Sequence, residues 1–173
     1  MKYLVKFFVV TFLLSVCTYA LAEQKVAYLD MKFVLNNSKA GKGAQDFLKK
    51  SYNDNLKKFT DMEKNLKKEE NDLLGQKTIL TKEEYSKKTD TLRKKVIDYK
   101  TERRSSLDKI ATQRAEARET LLKKINPILD TYISENNISL VLDKKNTLGG
   151  NPNTDITKVI VEKLNKVLPS LDL

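Results

Sequence analysis

Two short, mainly apolar runs, VAYLD (residues 26–30) and ISLVLD (residues 138–143), each close on an aspartate. Both predict short strands. Between them the apolar positions recur with the period of a helix. Tyr52, Phe59, Leu66 and Leu73 recur every seven residues, supplemented by Leu48, Leu56 and Met62, which predicts a helix from the Ser38 cap to about Leu74 with a coiled-coil type of seam. Glu63 and Glu70 occupy the other seam positions, so the seam weakens toward its far end. Gly75 breaks the pattern. Thr81 followed by Glu84 has the form of a capping box and opens a second helix running to about Glu135, across Asn126-Pro127.

The second helix carries Tyr85, Leu92, Val96, Tyr99, Leu107, Ile110, Leu121 and Ile125 on one stripe, interrupted by Arg103 and Arg114. A short turn between two long helices predicts an antiparallel hairpin. After ISLVLD the chain is turn-rich, with room for a third strand around Asn146–Leu148. Asp155 is then placed to cap an amphipathic helix through Ile156, Val159, Ile160, Leu164 and Val167, which Pro169 ends. Asp30 and Asp143 both close strand signals. They read as a helix cap and a turn residue rather than as a catalytic carboxylate pair.

A five-residue strand is not stable alone. The two strand signals must therefore meet, and the hairpin must project from their meeting point. One chain supplies too little core for such a body. The fold expected is α+β, mostly α: a small β-barrel body shared between chains, with a long helical-hairpin insertion. The expected divisions are residues 1–22 as a signal peptide, 23–37 with 130–173 as the body and trimerisation domain, and 38–129 as the arm. FVLNNSKAGKG (residues 33–43) is the hinge between body and arm.

Composition narrows the chemistry. Lys2 and Lys6 precede an apolar run from Phe7 to Val16, and Ala20-Leu21-Ala22 supplies a small-x-small cleavage pattern. That is a secretory signal peptide cut near Ala22, implying a soluble periplasmic protein. Cys17, the one cysteine, leaves with it, and the chain has no His. Disulfides, thiol chemistry, a Ser-His pair and His-based metal sites are excluded, no phosphate-binding glycine loop is present, and neither enzyme activity nor a cofactor is expected.

Charge is concentrated in the hairpin, where residues 39–126 hold 24 Lys/Arg against 15 Asp/Glu, a net of +9. A basic arm attracts acidic segments of a client or an anionic surface. A nucleic-acid binder is one rival reading, opposed by the export signal and the interspersed acids, so no physiological nucleic acid is expected. A structural envelope coiled coil is another, but it predicts a continuous seam and needs no end strands.

The opening strand VAYLD, the following FVLNNSKAGKGAQDFL, the charged hairpin, the returning ISLVLD and the closing DITKVIVEKLN resemble, in that order, the Skp/OmpH family of periplasmic chaperones. The resemblance implies a homotrimer in which three arms hang like tentacles from a shared barrel. Unfolded outer-membrane β-barrel proteins are held between them without ATP, protected from aggregation and passed toward the outer membrane. NTLGGNPN departs from the family, which usually carries a more apolar strand there. Aligned on the family's proposed lipopolysaccharide site, the basic positions fall on Arg93, Arg103 and Arg104, though its other element has no counterpart here. The plainer reading of the three is solvated helix positions or seam interruptions.

Overall fold

The computed structural model describes residue 3 and residues 24–173. The expected signal peptide, its cleavage point and Cys17 lie outside the described residues. The chain is mostly helical with one two-stranded sheet, an α+β arrangement.

Strand β1 (Lys25–Leu29) pairs with β2 (Ile138–Asp143) in parallel, Val26 opposite Leu140 and Leu29 opposite Asp143, with a register shift at Lys25/Val26. Parallel neighbours cannot be joined by a tight turn and need a long crossover. That requirement accounts for the order of elements, because everything between the strands is the crossover. It begins with helix α1 (Met31–Asn37), whose first turn is capped by Asp30 Oδ1 accepting the Phe33 N–H at 2.8 Å.

Helix α2 (Lys39–Gly75) follows after a single non-helical residue, Ser38. Ser38 is completely buried, and its hydroxyl accepts the Gly41 N–H at 3.1 Å. The elbow is tight: a Cβ on Gly41 would lie 1.8 Å from the Leu35 carbonyl oxygen. Glycine is required there for close approach, not for an unusual φ.

Helix α3 (Lys82–Glu135) starts at the expected capping box. Thr81 Oγ1 accepts the Glu84 N–H at 3.3 Å, and Glu84 Oε2 accepts the Thr81 N–H at 3.1 Å. The Thr81 N–H and the Thr81 hydroxyl, both donating to Glu84 Oε2, hold the Glu84 carboxyl below its ordinary range. At 1.5 Å per residue α2 is about 55 Å long and α3 about 80 Å. They run antiparallel, bridged by ion pairs between Lys58 and Glu102 and between Glu69 and Lys95. The longer α3 passes the root of α2 and delivers Leu121 and Ile125 to the core formed with β1, α1 and the last helix, α4 (Thr157–Val167). Val34, Ile125, Ile160 and Leu164 are wholly shielded there.

Two expectations change in the C-terminal segment. No strand forms at Asn146–Leu148. Asp143 Oδ1 accepts the Lys145 N–H at 3.1 Å and turns the chain into a 3-10 segment, Lys144–Asn146, leaving Leu148 fully exposed. The extra rung on β1 comes later, where the Ile156 N–H donates to the Tyr28 carbonyl at 3.0 Å. Asp155 also sits one place earlier than expected. Ile156 occupies the cap position of α4 without a side-chain bond, yet Asp155 Oδ1 still accepts the Thr157 N–H at 2.9 Å. The cap is supplied from one position further out.

Candidate functional site

Two surfaces stand out, one on the hairpin and one on the sheet. Small residues set the first. Ala40, Ala44 and Ala117 are buried at the root of the hairpin, where they allow α2 and α3 to approach closely. Beyond buried Leu48, the heptad residue Tyr52 is left 48% exposed. Phe59 and Tyr99 restore large-residue packing further out, and the Tyr99 hydroxyl donates to Glu63 Oε2 at 3.4 Å. Glu63, a polar interruption in the expected seam, thus has a partner inside it.

Two clefts lie between the helices along this stretch. The one at the root is lined by Leu48, Tyr52, Arg114, Ala117 and Arg118 among others, the outer one by Tyr52, Leu56, Phe59, Arg103 and Leu107 among others. Tyr52 belongs to both. Leu107, expected on the packed stripe, is 43% exposed at the rim. Arg118 drew no attention in the sequence. The signal available was the small-residue pattern of Ala40, Ala44 and Ala117, which marks where the helices close.

The second surface is the outer face of the sheet. Ala27 and Leu29 point into the core, so the pleat turns Val26 and Tyr28 outward, with Leu140 and Leu142 beside them on β2. Val26, Leu140 and Leu142 remain 41%, 52% and 39% exposed. One edge of β1 takes β2 and the other the Tyr28–Asp155 bridge, while the outer edge of β2 has no strand partner among the described residues.

A polar clasp closes the body beside this face. Lys144 Nζ lies 3.1 Å from Asp155 Oδ2 and 5.6 Å from the centre of the Tyr28 ring. The hydrogen bond and charge of Asp155 raise the Lys144 pKa. For Asp155, partial burial acts upward but is outweighed by hydrogen bonds from Thr157 and Lys144, which lower its pKa. The clasp positions the loop; nothing in it resembles an acid–base pair aimed at a substrate.

The three arginines singled out by sequence do not form one cluster. Arg93 pairs with Asp90 at 2.7 Å, and Arg104 faces Asp108 at 3.9 Å with most of its side chain in solvent. Arg103 borders the outer interhelical cleft instead. Arg93 and Arg104 lie about 16 Å apart along the helix axis. Among the described residues, no helix is long and apolar enough to cross a membrane.

This architecture has known counterparts. The sequence model of the family described as "Outer membrane protein (OmpH-like)" matches residues 25–164. A crystal structure from Caulobacter crescentus CB15, described as that of a candidate outer membrane chaperone (OmpH-like), superposes with a TM-score of 0.79 at 19% identity. The match covers 90% of this chain and 92% of that one, so the two share a fold. No curated protein matches the sequence.

Proposed function

The chain belongs to the OmpH-like outer membrane protein family, and from that premise we propose that it is a chaperone of the bacterial envelope. It acts in the periplasm as an ATP-independent holdase. Residues 23–37 and 130–173 form the body, residues 38–129 the arm, and residues 1–22 are removed on export. Three copies join their bodies, and the three arms enclose a cavity in which an unfolded outer-membrane β-barrel protein is kept from other unfolded chains.

The observation that carries this reading is the unfinished sheet. A two-stranded sheet whose outer edge has no strand partner among the described residues, with an apolar outer face of Val26, Leu140 and Leu142, is unstable and prone to association if left in water. Closing strands from several copies into a barrel removes the edge and covers the face together. A trimer then fixes three hairpins around one axis.

Holding a client needs no bond chemistry. Many weak contacts inside one cavity give avidity without a defined epitope, and the client leaves by folding elsewhere. Arg93, Arg103 and Arg104 add contacts to lipopolysaccharide or another anionic lipid. The exposed Arg93–Asp90 and Arg104–Asp108 pairs contribute little and yield readily to phosphate.

The test is dilution of a urea-unfolded outer-membrane barrel into buffer with and without the mature protein, followed by light scattering. Suppression near one trimer per client, without ATP, supports the holdase. Scattering unchanged at a several-fold excess of protein rejects it.

A further inference from the structure

The groove between α2 and α3 has two parts, one at the root of the hairpin and one toward its middle, which adjoin at Tyr52. Leu48, Ala117 and Leu121 form a buried floor at the root, and Phe59 and Tyr99 form one further out. Above them Tyr52, Leu56 and Leu107 keep about half their surface open. Arg103, Arg114 and Arg118 border the groove, and none of the three makes an ion pair among the described residues. Guanidiniums left unpaired beside apolar surface are suited to carboxylates, which they bind through two parallel hydrogen bonds.

Shape and charge select among occupants. A planar lipid surface cannot reach a floor that lies between two helices. The arm of a second copy would bring the same excess of cations, 24 Lys/Arg against 15 Asp/Glu over residues 39–126, and be repelled. A single extended chain fits. Arg103 to Arg118 spans about 22 Å of helix, which about seven extended residues cover. In an extended chain alternate side chains face opposite ways, so aliphatic residues can reach the floor while carboxylates meet the rim.

We infer that this groove docks extended segments of the unfolded client that combine aliphatic and acidic side chains. The inference rests on the holdase reading and gives it a substrate class. Asp46 and Glu63, also on the groove's border, set the opposite preference locally. Arg103, Arg114, Arg118 and Lys49 outnumber these two carboxylates, which leaves the groove net positive.

The test uses fluorescent eight-residue peptides alternating Leu with Asp, or Leu with Lys, titrated by anisotropy against the full mature protein. A triple variant, Arg103→Gln, Arg114→Gln and Arg118→Gln, is compared with Lys50→Gln, Lys57→Gln and Lys64→Gln. The second triple removes the same charge from exposed α2 positions that line neither half of the groove. The expected result is at least tenfold preference for the Leu/Asp peptide, lost in the arginine triple and kept in the lysine triple. Equal loss in both triples, or no preference in the wild type, overturns the inference. So does a fall in oligomeric mass confined to the arginine triple, which would assign the groove to a second copy.

Scattering suppression by the wild type, measured alongside, separates the two claims. Suppression with no peptide preference rejects the groove and leaves the holdase standing. Absence of suppression rejects the holdase, and with it the client as occupant.

Discussion

Phe59 and Tyr99 meet edge to face, ring centres 6.0 Å apart and planes at 69°, and they are the last buried pair on the hairpin. From residue 60 to residue 98 no side chain is buried. Ion pairs such as Lys95–Glu69 and half-buried Leu66, Leu73 and Leu92 hold that outer part together, and exposed ion pairs are weak and screened by salt.

The arm should therefore have two regimes. Amide exchange is expected to be fastest between residues 60 and 98, slower from Phe59 toward the root, and slowest in the body. Phe59→Ala, which removes a buried ring at a cost of about 3 kcal/mol or more, should extend fast exchange rootward toward Ile110. Uniform protection along α2 and α3 would contradict an adaptable arm.

Neighbouring glycines at the elbow should respond in opposite directions. Gly41→Ala forces a Cβ against the Leu35 carbonyl and should destabilise the protein by about 1–3 kcal/mol. Gly43 has open space around its Cβ direction, so Gly43→Ala should stabilise by about 0.5–1 kcal/mol through helix propensity. Urea unfolding followed by circular dichroism distinguishes them, and equal effects would refute the tight elbow.

Acid should loosen the body through Asp155. Its folded pKa lies below the unfolded one, so its contribution is present above the unfolded value, about 4, and is lost as pH falls through the folded value. Lys144 works the other way: its contribution is present at neutral pH and is lost only as pH rises through a folded pKa above its ordinary value. Asp155→Asn keeps an acceptor for the Thr157 N–H but removes the titrating charge, so it should flatten the acid limb of stability against pH, and Asp155→Ala should in addition lower stability at pH 7 by about 1 kcal/mol, the scale of a lost cap. An unchanged acid limb in Asp155→Asn would show that the clasp is incidental.

Local bonds were the legible part of this fold. Asp30, Ser38 and the Thr81–Glu84 box each act within three residues, so sequence alone places them. The meeting of VAYLD with ISLVLD was legible because neither strand can be buried alone. Its parallel sense and the register shift depend on how α1 and α3 pack, which no local pattern records. Asn146–Leu148 was misread because Asp143 turns the backbone before a strand can start. Tyr52 and Leu107 fit the helical period yet stand half exposed, while Leu48 and Ile110 on the same two helices are buried. The groove was invisible for that reason: it arises where small and large residues on two helices come together, far apart in sequence.

The central claim is that an incomplete body makes this chain an oligomer built to hold another protein. Native mass measurement of the mature protein, alone and after addition of a urea-unfolded outer-membrane barrel, tests it most directly. The account predicts a species of three copies that gains one client mass. A monomer whose mass does not change on addition of the barrel would contradict it.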